Sequence, residues 1–406
     1  MPNSRSTPLD TTAVRRRNLS AVLDLVHRRR GVTRADLTRA LGLNRSTIGD
    51  LVGVLVAHGW VDERDDQTRS GVGRPSPLVV TRDRWLVAAI NPELDVIDVA
   101  LVSLGGEIVA RRRTFVERPS AATAVEVAAR VVRELSAEHP QATVLAAGVA
   151  VPGLVRRGDG CVRLAPRLGW RDEPLAEALR EALGMPAAAA NDAHLGSRAE
   201  LTFGAGQGAA SVLYLNGGPS GIGGGIVVDG RPVEGSAGYA GEIGHLSVDP
   251  RGIACACGAH GCLEALVPRA ALTAAVGLAH PDDDELDAAL QQAVTAEGDA
   301  TGPVSSIVRE QLGWLSIALR SVVNLLNPER IVLGGHLAAL WRASSADDRA
   351  ASLAEALPVT ATDVRIEVAA LGAQRLLIGA AELAWDGLIA DPTEVVPLEA
   401  AGASAS

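Results

Sequence analysis

A chain of 406 residues with a formal net charge of −10 is long enough for two or three domains, each with its own core. No apolar run reaches spanning length without a charge or a glycine, and the opening residues MPNSRSTPLD hold no signal-peptide core, so neither a membrane span nor export is expected. Four cysteines, three of them in one short motif, exclude a disulfide framework and favour a reducing cytoplasm.

Charge is uneven along the chain. Every basic residue is an arginine, and residues 1–84 hold 15 of them against 9 acidic residues, a balance of +6 that leaves −16 for the remainder. A basic module on an acidic protein predicts that this module alone meets a polyanion. Residues 1–13 are polar and expected to be disordered. From Val14 the pattern is helical, with Leu19, Val22, Leu23 and Val26 at i, i+3, i+4 and i+7, and Gly31 as the stop. Thr33 to Asp36 reads as a capping box opening a short second helix through Leu41. Gly42 makes the turn and Asn44 caps a third helix, whose apolar face is Ile48, Leu51, Val52, Leu55 and Val56.

Two short helices about a glycine turn, the second with a polar start, make a helix-turn-helix. Residues 60–64 and 78–81 then read as the strands of a wing, and the Gly73-Arg74-Pro75 loop between them is thin enough for a minor groove. The expected partner is double-stranded DNA. The candidate contacts are Thr33, Arg34, Asn44, Arg45, Ser46, Thr47 and Arg74. A helical protein-interaction module is the competing reading.

From Trp85 the period changes to short β runs at 86–90, 96–104 and 108–116, with Gly105-Gly106 as a hairpin signal. A helix is predicted over 121–137, a buried strand over 143–151, a helix over 174–183, and an apolar run at 186–190. That run delivers Asn191 and Asp192 to a strand end, just before a helix starting near Ala193. Asp192 could accept a hydroxyl hydrogen bond, or it could cap the helix. A second lobe starts near Thr202, with strands at 211–216 and 223–228 joined through GGPSGIGGG. That run offers either simple turns or amides aimed at an anion.

The stretch from Glu242 to Glu264 holds Cys255, Cys257 and Cys262, with His245 ten residues before the first. Cys-x-Cys-x4-Cys plus one histidine is a Cys3His ligand count, suited to a closed, structural zinc site. Unrelated buried thiols are the alternative. Glu242 and Glu264 flank the motif, so an ion held here would support two carboxylates and an imidazole facing a polyhydroxyl ligand. Helices follow at 268–278, 284–295 and 304–326, then a strand at 331–335, a last helix at 374–389 and a tail at 391–406 expected to be disordered.

GEIGH followed by CACGAHGCLE resembles the signature of the ROK family, which groups repressors, open reading frames and sugar kinases. The resemblance implies an α/β actin-like ATPase (ribonuclease H-like) fold in two lobes, residues 85–200 with helix 374–389 and residues 201–373. The N-terminal residues 14–84 are similar to the winged helix-turn-helix of that family's regulators. It implies that His245 both ligates zinc and touches sugar. It also implies that Asn191, Glu242 and Glu264 bind sugar hydroxyls and that Asp192 matches the kinases' general base.

The kinases carry Asp-x-Gly-Gly-Thr between the first two strands, where this chain has Asn91-Pro92-Glu93-Leu94-Asp95. The paired glycines are gone, Pro92 removes an amide, and Glu93 is expected to place negative charge beside a triphosphate. The expectation is therefore a sugar-responsive DNA-binding regulator, a repressor released by a monosaccharide or sugar-phosphate effector, with no catalytic residue and Asp192 as a vestigial base. It is expected to act as a homodimer or homotetramer. An active sugar kinase with an appended DNA-binding head is the alternative.

Overall fold

The first apolar face becomes helix α1 (Thr11–Arg29), whose Leu19, Val22, Leu23 and Val26 are all buried. The computed structural model describes residues 11–64, 77–298 and 302–394. After α1 come β1 (Val32–Thr33), α2 (Arg34–Leu41), α3 (Arg45–Ala57), β2 (Val61–Arg64) and β3 (Leu78–Thr81). Gly42, at φ 66°, ends α2, and α3 leaves at 116° to it, the crossing of a helix-turn-helix. The wing has a third strand that the sequence did not reveal. β1 is two residues long and pairs with β3, giving the order β1-β3-β2. Residues 1–10 and the wing loop with Arg74 lie outside the described residues.

The first lobe runs β4 (Trp85–Pro92), β5 (Val96–Ser103), β6 (Ile108–Phe115), α4 (Ala121–Glu138), β7 (Thr143–Val151), β8 (Leu154–Val155), β9 (Val162–Ala165), β10 (Trp170–Glu173), α5 (Leu175–Leu183), β11 (Ala187–Asn191) and α6 (Asp192–Phe203). Its main sheet has the order β11-β7-β4-β5-β6, antiparallel across β4, β5 and β6 and parallel through β7 and β11. β8, β9 and β10 form a small separate sheet beside the cleft.

The second lobe runs β12 (Val212–Gly218), β13 (Gly221–Val228), β14 (Arg231–Pro232), α7 (Leu263–Leu266), α8 (Arg269–Ala275), α9 (Asp283–Glu297), α10 (Pro303–Leu326), β15 (Arg330–Gly335), α11 (His336–Ala343), α12 (Ala346–Ala351), α13 (Pro358–Ala361) and β16 (Arg365–Val368). Its sheet has the order β14-β13-β12-β15-β16. The last helix, α14 (Arg375–Ala390), crosses back to pack on α6, β7 and β4. Glycines allow that approach: a Cβ at Gly148 would lie 1.8 Å from the Ala380 carbonyl oxygen, and one at Gly379 would lie 2.2 Å from that of Leu195.

The head and first lobe share one apolar core. Trp60 packs on Trp85 and Trp385 at ring separations of 6.1 and 6.2 Å. Each of the two junction indoles, Trp60 and Trp85, donates its N–H to a backbone carbonyl, Trp60 to Pro392 and Trp85 to His58. This corrects the expected tail. Residues 391–394 are ordered against the head, with Asp391 also 3.2 Å from Arg16, because Trp60 needs an acceptor there. Residues 395–406 lie outside the described residues.

Candidate functional site

A cavity of about 530 Å³ opens between the lobes, and Asn191, Asp192, Glu242, His245 and Glu264 all line it. The β12–β13 hairpin forms one wall. The expected glycine loop is in fact strand up to Gly218 and again from Gly221, with only Pro219 and Ser220 as the turn. Its glycines serve close packing. A Cβ at Gly225 would lie 2.5 Å from Ser197 of α6, and one at Gly221 would lie 2.3 Å from a Glu264 oxygen.

Asn191, not Asp192, caps α6: its Oδ1 accepts from the His194 N–H at 3.0 Å, and its Nδ2 donates to the Gly153 carbonyl at 3.0 Å. That frees Asp192. Its carboxylate is 7% exposed and accepts from Asn216 Nδ2 at 3.0 Å. Burial pushes Asp192 up to about 6, against the opposing pull of the Ala193 amide and Asn216. Asn216 is itself gripped by Arg375, which donates from Nε at 3.0 Å and Nη2 at 2.8 Å, while Arg375 Nη1 reaches Asp283 at 2.6 Å. These partners set the orientation of Asp192. None of them stood out in the sequence, although an arginine opening an apolar helix is a signal that could have been weighed.

Glu242 enters a single helical turn, Ile243–His245, and burial raises its carboxyl above the usual range. Glu264 sits on α7 with Oε1 3.7 Å from His245 Nδ1 and 3.1 Å from Cys255 Sγ. The imidazole divides its faces, with Nδ1 toward the cysteines and Nε2 3.9 Å from Glu242. One ligand atom from each of His245, Cys255, Cys257 and Cys262 lies within 4.8 Å of every other. Cys255 Sγ is 3.8 Å from His245 Nδ1, and Cys257 Sγ is 3.7 Å from Cys262 Sγ. A tetrahedron with metal–sulfur bonds of about 2.3 Å has edges of about 3.8 Å, so this donor set fits a four-coordinate ion. Gly261, at φ 67°, closes the loop where a Cβ would overlap the Asp249 carbonyl.

Residues 88–386 match the ROK family model. The chain belongs to the ROK family. Residues 20–69 match the MarR family, in agreement with the winged helix at the N-terminus. The ROK chain is similar to the xylose repressor of Bacillus subtilis (strain 168), 27% identical over 328 residues that cover 80% of this chain and 83% of the relative. It is similar to a glucokinase of Halalkalibacterium halodurans, 32% identical over 311 residues, 73% of this chain and 94% of the relative. Among solved structures, a ROK family transcriptional regulator described as a homolog of the Escherichia coli Mlc protein superposes with a TM-score of 0.72 at 25% identity, over 93% of this chain and 98% of its own.

Where the ROK kinases turn through paired glycines, this chain inserts the Glu93 side chain. Glu93 is 5% exposed, and its Oε2 accepts from Ser220 Oγ at 2.8 Å across the cleft. The expected fixed negative charge is corrected by the structure. Burial, reinforced by Asp192, pushes Glu93 up to about 8, which favours its protonated form near neutral pH.

In the ROK head, Arg45 and Ser46 are exposed on the first turn of α3, and Thr47 is half-buried beside them. Asn44 Oδ1 accepts from the Thr47 N–H at 2.8 Å and from the Ser46 hydroxyl at 2.7 Å. Thr33 and Arg34 are placed differently from the expectation. Thr33 is buried as the cap of α2, its hydroxyl donating to Asp36 at 2.7 Å, because the short Asp36 side chain meets the hydroxyl instead of completing a capping box. Arg34 grips Glu63 of β2 with two nitrogens. Thr33 thus serves the start of α2, and Arg34 ties α2 to β2.

Proposed function

We propose that this chain is a sugar-responsive transcriptional repressor, released from its operator by a monosaccharide or a phosphorylated derivative. The observation that carries this reading is the docking of the winged helix on α14, the helix that also packs on α6 behind Asp192. The xylose repressor relative, similar over most of its length, supports the same reading. In the proposed mechanism, the sugar draws the lobes together and moves α6. Arg198 of α6 holds Asp386 of α14 and lies 3.8 Å from Glu382, which bonds to His27 of α1. A shift of α6 would thus reorient the heads of a dimer so that they no longer match the half-site spacing. Such coupling is typically worth about 1–3 kcal/mol.

His245, Cys255, Cys257 and Cys262 would hold zinc, whose contribution is structural: it fixes the loop so that Glu242, His245 Nε2 and Glu264 face the sugar. Among the described residues no single helix is long and apolar enough to cross a membrane, and we place the protein with DNA in the cytoplasm.

The test is a gel shift on the protein's own promoter region, repeated with a sugar panel. Release by one sugar is the expected result, and binding indifferent to every sugar would count against the reading. The glucokinase relative at 32% identity favours a second reading, an active sugar kinase. Sugar-dependent ADP formation by the purified chain separates the two, and the repressor reading expects none above background.

A further inference from the structure

Glu93 belongs to none of the expected sugar-binding positions, yet it lines the sugar cavity and also a second cavity of about 260 Å³ behind it. Gly218 lines both cavities as well. Glu93 Oε2 is committed to Ser220 Oγ at 2.8 Å, while Oε1 has no hydrogen-bond partner among the described residues. The wall beside Oε1 is Gly218, where even a Cβ would stand 3.5 Å away, so the atom is left uncovered. Asp192 faces the same cavity from the start of α6, its Oδ2 already taken by Asn216 at 3.0 Å.

We propose that Glu93 is a sugar-binding residue that donates a hydrogen bond from its carboxyl to the same hydroxyl from which Asp192 accepts, so that the effector is a free sugar at that carbon and not its phosphate ester. The proposal rests on the sugar-site reading above and deepens it. A hydroxyl is both donor and acceptor, and a neutral acid beside a carboxylate satisfies both roles. A phosphate monoester offers only acceptors and close to two negative charges, and it would meet the Asp192 carboxylate.

The charged groups facing Glu93 explain why it can hold a proton. Asp192 on α6 and Asp283 on α9 oppose its ionisation. Arg375 on α14, the cation that favours its ionisation, is spent on Asp283, Tyr214, Asn216 and the Gly372 carbonyl. The other arginines lining the second cavity face acids of their own, Arg111 facing Asp98, Arg269 facing Asp283 and Arg113 facing Asp282. Burial and these acids hold Glu93 at about 8. The arginines that line the sugar cavity, Arg167 and Arg171, are exposed.

The experiment is calorimetry on the full zinc-loaded chain with D-xylose, D-glucose and N-acetyl-D-glucosamine, and with the 6-phosphates of the last two. One free sugar is expected to bind at least ~10-fold more tightly than any phosphate ester. Glu93→Ala should weaken that sugar by about 10-fold, the size of one buried hydrogen bond, and Glu93→Gln, which still donates, should restore it to within about threefold. Wild-type affinity should fall between pH 7 and 9 as the donor ionises, while Glu93→Gln stays level; thermal melts of both variants guard against misfolding. Tighter binding of a phosphate ester, or an Ala variant equal to wild type, overturns the proposal and leaves the sugar site standing. No heat from any sugar with the wild-type chain overturns the sugar-site reading and this proposal with it.

Discussion

His27 and Glu382, 355 positions apart in the chain, are joined by a 2.8 Å hydrogen bond between side chains that are 1% and 3% exposed. The other ring nitrogen, Nδ1, accepts from the Gly105 backbone N–H at 2.8 Å. An amide can only donate, so Nδ1 is bare and Nε2 carries the proton that goes to Glu382. Although burial alone would raise it, Glu382 is held below the ordinary carboxylate range by His27 and Arg198. One imidazole thus ties the head to both the β5–β6 hairpin and the last helix.

Glu382→Ala leaves the His27 N–H buried and unpaired, which costs about 1–3 kcal/mol and should lower the melting temperature by several degrees. The same variant should shrink the difference between operator affinities measured with and without sugar. Glu382→Gln can still accept the bond and should keep more of the difference. Fluorescence anisotropy on labelled operator gives both affinities, and an unchanged ratio in the Ala variant would rule out this route of coupling.

Cys257→Ser removes one of the four proposed zinc ligands, at an exposed corner of the loop. Zinc per chain, measured by atomic absorption, should drop from about one toward zero. Sugar affinity should fall about 10-fold or more while the head still binds operator, because Glu242, His245 and Glu264 lose their shared support. Sugar-dependent release at wild-type level would reject the bracing role.

Stability should decline as the solution becomes alkaline. Glu93 moves from 4.5 to about 8 on folding and Asp192 from 3.8 to about 6, so the folded state binds more protons than the unfolded state between these values. Their contribution is full at acid pH and is lost as pH rises through about 6 and then about 8. Melting curves from pH 5 to 9 should show Glu93→Gln declining less than wild type. Parallel curves would mean that Glu93 ionises normally.

Arg45→Ala should weaken operator binding by about 5–100-fold and flatten its salt dependence, since Arg45 is exposed at the start of α3. Asn44→Ala removes the cap of that helix and should cost about 1 kcal/mol of stability. Arg34→Ala acts through the lost Glu63 pair and should change affinity less than Arg45→Ala. Operator titrations at two salt concentrations rank the three.

The sequence alone determined the parts whose signals are local. Apolar periodicity placed α1 and α3, Gly42 and Asn44 marked the turn between α2 and α3, and Cys-x-Cys-x4-Cys with His245 marked four side chains whose ligand atoms the fold brings within 4.8 Å of one another. What only the tertiary structure decided were relationships between distant residues. β1 is too short to have a period and exists because β3 lies beside it. The glycines of β13 could be read as simple turns or as amides aimed at an anion, and only the packing of α6 and Glu264 shows why side chains are absent there. The protonation of Glu93 and Asp192, the Arg375–Asn216 support and the His27–Glu382 tie all depend on burial and on partners more than 20 positions away. A linear pattern records which groups a chain owns. Whether a carboxyl keeps its proton or an arginine is free depends on desolvation and neighbours, and these exist only once the chain has folded.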